Sequence, residues 1–266
     1  MTWQARIAQA LGAGVASAMP VQGGDLSQVF RADLADGRRV AVKLGALVGT
    51  EARMLTTMRA TGAAVPRVIW AGDDLLCLEW LEETRPTPEG WHALGVALSR
   101  LHATQAPRYG WDADYAFGKV RIDNAPGDSW PAFWADRRLM PFVPDLPAPL
   151  ARRIEALAAR LPEHLPKTPA PALLHGDLWT GNALFSGDQA YLIDPVCYHG
   201  HGEVDLTMLE LFGRPDAAFW TGYGACDPGR ETRRPVYQLW PALVHLSLFG
   251  AGYRGLVEGL LDQLGS

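Results

Sequence analysis

The sequence predicts an α+β protein with two unequal lobes, a small antiparallel β-rich lobe over residues 1–81 and a larger, mainly helical lobe over residues 82–266. Short alternating apolar segments around turn signals fill the N-terminal part, whereas longer apolar patterns with helical spacing dominate the C-terminal part. The change in pattern comes at Glu82. A content of 28 Gly and 20 Pro in 266 residues predicts many turns and short elements.

The N-terminal lobe is predicted from its helical face, its turns and one capping signal. The first helix shows an apolar face formed by Trp3, Ile7, Ala10, Leu11 and Gly14. An extended segment over 27–34 and a strand over 39–44 flank the hairpin signal Asp36-Gly37. Thr50 is predicted to cap a helix that buries Met54, Leu55 and Met58. Two more strands, over 65–70 and 75–80, complete a small antiparallel sheet.

The C-terminal lobe is predicted to begin with a helix at Thr87-Pro88, where a threonine cap precedes a proline in the first helical position. Further helical patterns cover 130–140, 149–161, 203–212 and 236–261. The segments 172–185 and 190–193 have the pattern of short strands around a loop. Proline-rich stretches at 141–149 and 162–171 are predicted to connect helices within one lobe.

Composition excludes several classes of protein. An apolar content of 48% excludes a disordered chain, and a net charge of −5 argues against a nucleic-acid or anionic-membrane partner. The 3 cysteines form no CxxC pair, so a reducing compartment is expected. The apolar N-terminus is interpreted as a helix and not as a signal peptide, and no run approaches the ~20 apolar residues of a membrane span. We therefore expect a cytoplasmic protein and leave its oligomeric state open.

One segment carries the strongest chemical signal, His175-Gly-Asp-Leu-Trp-Thr-Gly-Asn182. On a loop between short strands, the Asp177 carboxylate can accept the proton of an attacking hydroxyl while the Asn182 amide oxygen binds Mg²⁺. Asp194 ends the next apolar strand and can hold a second position on the metal. Each residue alone has an ordinary explanation as a turn or strand-end residue, but the order and spacing of the three favour phosphoryl transfer.

The N-terminal lobe supplies candidate groups for binding ATP. Lys43 ends the segment Val-Ala-Val-Lys, which resembles the strand that holds the phosphate-binding lysine of protein kinases, and Glu51 is its expected ion-pair partner. Gly23 and Gly24 form a turn whose backbone can lie over the phosphates. The backbone of the segment from Leu76 to Leu81, including Glu79, is expected to bind the adenine edge. A solvated lysine, a first-turn carboxylate and a core strand are the simpler alternatives.

Across nearly its whole length the chain resembles the fructosamine kinase (ketosamine-3-kinase) family, which belongs to the aminoglycoside-phosphotransferase group of the protein-kinase-like fold. The resemblance lies in the 175–182 motif and in the segments 23–28, 193–212 and 233–239. It implies ATP-dependent phosphorylation of a sugar hydroxyl in a free or protein-bound ketosamine, with Mg²⁺ as the metal. Phosphorylation of this kind destabilises the sugar adduct and can release the amine.

The resemblance also implies roles for individual residues. Asp177 is the expected catalytic base, Asn182 and Asp194 are the expected Mg²⁺ ligands, and Lys43 with Glu51 orients the ATP phosphates. Trp179 is expected to face the sugar, because an indole face suits the C–H side of a polyol. His175 and Asp205 are expected to support the catalytic loop structurally.

The sequence departs from the family pattern at three places, and these bear on which acceptor is bound more than on phosphoryl transfer itself. The segment 115–124 contains Val120-Arg121-Ile122 where many relatives have Thr-Pro-Gln, the stretch 200–205 lacks an arginine, and the connection from Lys43 to Glu51 is short.

Two alternative functions stay open from the residues alone. One is a kinase for another small alcohol such as an aminoglycoside, an amino alcohol or a free sugar, and the other is a catalytically silent nucleotide-binding module. Cys197, close to Asp194, is expected to be a buried or lining thiol.

Overall fold

A computed structural model describes residues 1–21 and 28–266 and confirms the α+β architecture. The N-terminal part contains a five-stranded antiparallel sheet with strand order β1-β2-β3-β5-β4 and two helices. The bounds are α1 Trp3–Leu11, β1 Val15–Pro20, β2 Gln28–Leu34, β3 Arg39–Leu44, α2 Val48–Ala60, β4 Val68–Ala71 and β5 Leu75–Glu79. The division between lobes at residues 81 and 82 stays a prediction.

Strand β3 places one lysine on the face of the sheet that carries α2. Val40 and Val42 are buried together with Ile7 of α1, on the opposite face. Because side chains alternate along a strand, Ala41 and Lys43 point toward α2. Ala41 indeed packs against the cluster that contains the buried side chains of that helix.

The C-terminal part consists of seven helices and three strand pairs among the described residues. The helices are α3 Pro88–His102, α4 Trp130–Trp134, α5 Ala148–His164, α6 Glu203–Leu209, α7 Ala217–Tyr223, α8 Arg230–Phe249 and α9 Arg254–Gln263. The strands pair as β6 Tyr115–Phe117 with β7 Val120–Ile122, β8 Ala172–Leu174 with β11 Tyr198–Gly200, and β9 Ala183–Ser186 with β10 Gln189–Leu192. No helix in the described ranges is both long and apolar enough to cross a membrane.

Several predicted boundaries hold. The α3 cap is confirmed, because the Thr87 hydroxyl accepts the Gly90 N–H at 3.0 Å. The predicted strand 172–185 resolves into β8 and β9 on either side of a loop. Cys197 is buried, as expected.

Other predictions were wrong. Thr50 does not cap α2, which begins at Val48 and holds Thr50 within its first turn. The predicted helix over 236–261 is two helices, because Gly250 adopts a positive φ of 86° that ends α8. The helix predicted over 130–140 stops as an α-helix at Trp134 and continues as a π-turn and a 3-10 turn, since prolines follow at 141 and 144. The helix predicted over 203–212 ends at Leu209, and β1, the β6–β7 hairpin, β11 and α7 were not predicted.

Candidate active site

Residues 175–182, which we call the catalytic loop after their predicted role, connect β8 to β9. The carboxylate of one residue, Asp205, supports the backbone of this loop. Asp205 of α6 accepts the backbone N–H groups of His175 at 2.7 Å and of Gly176 at 2.9 Å. Gly176 has φ +83°, and a Cβ there would stand 2.0 Å from the carbonyl oxygen of Val196. Only glycine therefore allows the loop to approach the neighbouring chain this closely.

The first and last parts of the catalytic loop are joined by hydrogen bonds between Asp177 and Asn182. The Asn182 Nδ2 group donates to the Asp177 carbonyl oxygen at 2.7 Å and to its carboxylate Oδ2 at 3.0 Å. Burial raises the pKa of Asp177 well above its usual range, the hydrogen bond from Asn182 opposes this, and the negative charges of Asp194 and Asp205 add to the rise. The carboxylate is thus oriented by Asn182 and more basic than an exposed aspartate.

His175 joins the catalytic loop to the segment that carries Asp194. Its Nε2 lies 2.8 Å from the Ile193 carbonyl oxygen, and its Nδ1 accepts the Asp177 N–H at 3.3 Å, so Nε2 is the protonated nitrogen. Burial lowers the pKa of His175, which keeps the ring neutral. The geometry suits the structural role expected for this residue.

Asp194 adopts an unusual backbone conformation. Its φ is +55°, the one positive φ at a non-glycine residue in the part of the chain that the structure describes, and it precedes Pro195. A residue before proline is normally extended, and non-glycine residues in left-handed conformations concentrate at functional sites. The turn directs the Asp194 carboxylate toward the N-terminal sheet, where Oδ1 accepts from Lys43 Nζ at 2.5 Å.

Lys43 sits between two carboxylates from different parts of the chain. Its Nζ donates to Glu51 Oε1 at 2.7 Å as well as to Asp194, and its side chain is only 8% exposed. Burial lowers the pKa of Lys43, but the Coulombic attraction of Glu51 and Asp194 outweighs this and raises it above its ordinary value. Lys43 is therefore a permanently charged ammonium group beside the catalytic loop.

The residues predicted to bind Mg²⁺ offer suitable atoms. With the Asn182 Nδ2 group directed at Asp177, its amide oxygen is the atom left for a cation. Asp194 has a 38% exposed side chain and a second carboxylate oxygen. Oxygen donors of this kind fit Mg²⁺, which takes one or two protein ligands and completes its shell with phosphate and water. Within 1–21 and 28–266, no three His, Cys, Asp or Glu side chains form a metal-binding group.

Trp179 projects from the catalytic loop and is 41% exposed. Its ring lies directly over Gly181, where an added Cβ would stand 2.2 Å from the indole. An exposed indole next to the candidate base offers a flat apolar face to solvent, of the kind that can bind the C–H side of a sugar.

The predicted nucleotide-binding residues are placed only in part. Gly23 and Gly24 lie outside the described residues. The Glu79 carboxylate accepts the Arg67 backbone N–H at 2.9 Å, and the Glu79 N–H donates to the Arg67 carbonyl oxygen at 2.9 Å, so neither of these two groups is left for an adenine edge. Leu81 follows β5 directly after Trp80 and is half-buried.

Sequence reasoning missed two residues at this site. His102 of α3 lies with Nε2 3.0 Å from Asp205 Oδ2 and with Nδ1 2.9 Å from the Tyr223 hydroxyl, so it holds the carboxylate that supports the loop. Tyr115 of β6 is close enough to Glu51, Asp194 and Asp177 that these charges, after burial, raise its pKa. His102 lies in no local motif, and Tyr115, although it begins the 115–124 segment, gave no signal of its own.

Comparisons with known proteins identify the family and the fold. The sequence model of the fructosamine kinase family matches residues 1–266. A Synechocystis protein named probable ketoamine kinase is 37% identical, over 91% of this chain and 88% of its own. A crystal structure from Thermobifida fusca, assigned by name to fructosamine-3-kinase, superposes with a TM-score of 0.92 at 32% identity and covers 98% of each chain. An aminoglycoside phosphotransferase APH(4)-Ia complex with AMP-PNP and hygromycin B shares the fold, with a TM-score of 0.67, 14% identity and 99% of each chain covered.

Proposed function

The chain belongs to the fructosamine kinase family, a phosphotransferase family with a protein-kinase-like fold, and from that premise we propose that it transfers the γ-phosphoryl group of ATP to a sugar hydroxyl of a ketosamine. One observation carries the proposal. Lys43 of the N-terminal sheet and Asp194 beside the catalytic loop are hydrogen-bonded across the site that Asp177 and Asn182 border. A phosphate-binding cation, a metal-binding carboxylate and a basic carboxylate thus share one location.

Asp177 accepts the proton of the attacking sugar hydroxyl. Its raised pKa makes it a stronger base than a free aspartate, and the Asn182 amide holds its carboxylate in one orientation. Trp179 presents its exposed ring to the C–H face of the sugar, which positions the hydroxyl near Asp177. The contribution of these residues is mainly positioning and electrostatic stabilisation, as in other phosphoryl transfers.

Lys43 binds the ATP phosphates, and Glu51 keeps its ammonium group in place. Asn182 and Asp194 are the proposed Mg²⁺ ligands, and the cation would supply charge neutralisation between the phosphates. The turn at Gly23 and Gly24 covers the phosphates in this proposal, while the backbone at Glu79 and Leu81 binds adenine.

The proposed substrates are free or protein-bound ketosamines. Phosphorylation destabilises the bond between the sugar and its amine, so the amine can be released. The proposed reaction therefore serves deglycation. The proposal places the protein in the cytoplasm, where ATP and Mg²⁺ are abundant. The whole-length match to fructosamine kinases favours this acceptor over an aminoglycoside, because the aminoglycoside phosphotransferase shares the fold at only 14% identity. A silent nucleotide-binding module is disfavoured, since base, metal-binding and phosphate-binding residues are all retained.

The Asp177→Asn variant tests the proposal. ADP release should be measured with Mg²⁺, ATP and a panel of ketosamines. We expect turnover to fall by about 10²–10⁴, the usual effect of losing a general base, while ATP affinity stays within about twofold. Asp188→Asn, an exposed carboxylate on the turn between β9 and β10, is the matched control and should retain full turnover. If the wild-type protein releases no ADP above background with any ketosamine, the proposed function is wrong.

A further inference from the structure

A cluster of aromatic side chains lies on the surface of the C-terminal part, and we call Phe212, His245, Phe249 and Tyr253 the aromatic patch. Phe212, Phe249 and Tyr253 all pack on the His245 ring, with centroid distances of 4.5, 5.4 and 5.0 Å. Phe212 is 38% exposed and Phe249 is 52% exposed. Large exposed apolar groups are costly to a soluble protein unless they have a use, so this patch indicates a binding surface.

The backbone that forms the patch depends on one glycine. Helix α8 ends at Phe249, and Gly250 follows with φ +86° and ψ −163°, a conformation that side-chain-bearing residues avoid. The chain therefore turns sharply before α9, and Tyr253 returns to the His245 ring that Phe249 also contacts.

The patch adjoins the catalytic loop. Gly213, next to Phe212, lies so close to the loop that a Cβ there would be 2.6 Å from Thr180 Cγ2. Thr180 directly follows Trp179, whose ring is 41% exposed. The segment that carries Trp179 and the segment that carries Phe212 are therefore in direct contact through Thr180 and Gly213.

Two carboxylates near the patch are neutralised by partners, whereas Arg214, two residues after Phe212, is exposed and forms no ion pair within the described ranges. The Glu210 carboxylate, two residues before Phe212, receives hydrogen bonds from Arg230 at 2.6 and 3.3 Å. Arg254, which follows Tyr253, pairs with Glu258 at 2.8 Å. With these carboxylates occupied, the patch suits an apolar or aromatic group better than a polycation.

We propose that the aromatic patch binds the substituent on the acceptor's amine nitrogen and selects ketosamines whose amine carries an aromatic or long aliphatic group. The inference rests on the proposed function, in which the sugar end of the acceptor lies at Asp177 and Trp179. A ketosamine has a second end, its amine, and that end must leave the sugar position across the adjoining surface. Aromatic faces bind apolar substituents and also attract the protonated amine itself.

The test uses ketosamines that share one sugar and differ only in the amine, which is methylamine, hexylamine or benzylamine. For the wild-type protein we expect KM to be at least about tenfold lower with benzylamine and hexylamine than with methylamine, as burial of one such group predicts. In the double variant Phe212→Ala, Phe249→Ala, KM for the benzylamine compound should rise about tenfold. KM for the methylamine compound and kcat should stay within about twofold, which also shows that the variant is folded.

Tyr191→Ala is the matched control, because Tyr191 is a half-buried aromatic on β10 outside the patch, and it should leave the preference among the three amines unchanged. Equal wild-type KM values for the three ketosamines, or a variant that raises all three KM values by the same factor, would overturn the subsite and leave the proposed function intact. Absence of phosphorylation with all three compounds would overturn the proposed function and the subsite with it.

Discussion

Asp194 is the residue whose conformation is least explained by local preference. It keeps a left-handed φ of 55° before a proline while its carboxylate contacts Lys43 across the site. Asparagine is also tolerated in the left-handed region, so Asp194→Asn removes the charge and keeps the backbone. The substitution therefore isolates the electrostatic role proposed for this position.

We expect Asp194→Asn to weaken ATP binding in Mg²⁺ by about tenfold or more, because the substitution removes the charge of the proposed metal ligand. Isothermal titration with ATP should be run once with Mg²⁺ and once with EDTA. The effect should be largest with Mg²⁺, since the EDTA titration removes the metal from both proteins. An unchanged Kd in Mg²⁺ would contradict the metal-binding role.

Gly181 controls the position of Trp179. A methyl group at 181 would stand 2.2 Å from the indole, so Gly181→Ala must displace the ring. We expect KM for the acceptor to rise about tenfold while KM for ATP stays within about twofold, because the sugar-facing surface moves and the nucleotide site does not. Initial rates measured against each substrate separate the two. Gly259→Ala in α9, where a Cβ meets nothing within 4 Å, should change neither KM.

Helices α3 and α7 meet through glycines, and this contact positions the support of the catalytic loop. A Cβ at Gly95 would be 2.2 Å from the Phe219 carbonyl oxygen, and one at Gly222 would be 2.1 Å from the His92 carbonyl oxygen. The same two helices supply His102 and Tyr223, which are hydrogen-bonded to each other. Their close approach thus brings His102 to the Asp205 carboxylate.

Gly95→Ala should lower the free energy of unfolding by about 2 kcal/mol or more, because the added methyl group meets rigid backbone. Gly259→Ala is again the control and should be neutral or stabilising by up to about 1 kcal/mol, since alanine is the better helix former. Urea unfolding followed by circular dichroism gives both values. Equal stabilities for the two variants would show that α3 and α7 can separate at no cost.

At the scale of the whole molecule, the half-buried His201 links stability to pH. The Tyr237 hydroxyl accepts from Trp130 Nε1 at 2.9 Å and lies 2.7 Å from His201 Nδ1, to which it donates when that nitrogen is unprotonated. Burial lowers the pKa of His201 to about 4, although Glu203 opposes the shift. Between this value and the unfolded pKa of about 6.5, the unfolded chain binds more protons than the folded one.

The free energy of unfolding should therefore fall as the pH drops from 7 to 4, with a contribution from His201 of about 3 kcal/mol at the most. Urea unfolding at several pH values measures the slope. His201→Gln keeps a hydrogen-bonding side chain but does not titrate, so its stability should depend less steeply on pH over this range. Parallel slopes for the two proteins would assign the acid sensitivity to other groups.

Local sequence signals predicted what short stretches of chain can determine. Local signals include the alternation of Val40, Val42 and Leu44, the Thr87-Pro88 helix start and the order of Asp177, Asn182 and Asp194. They sufficed for the α+β class and for most of the N-terminal sheet with its helix, while the chemistry of the loop stays a prediction. They failed where a helix stops because of one backbone angle, as at Gly250, or where short strands form only against a distant partner, as with Tyr198 and Leu174.

The sequence by itself thus determined which groups are present and in what order, because chemistry and local backbone preference belong to single residues and their neighbours. Only the tertiary structure decided which of them meet. Lys43 and Asp194 are 151 positions apart and His102 and Asp205 are 103 apart, yet each pair is hydrogen-bonded. In the aromatic patch, Phe212 likewise packs against His245 near the end of α8. Such contacts depend on how helices and sheet pack around a shared core, and packing is a property of the whole chain.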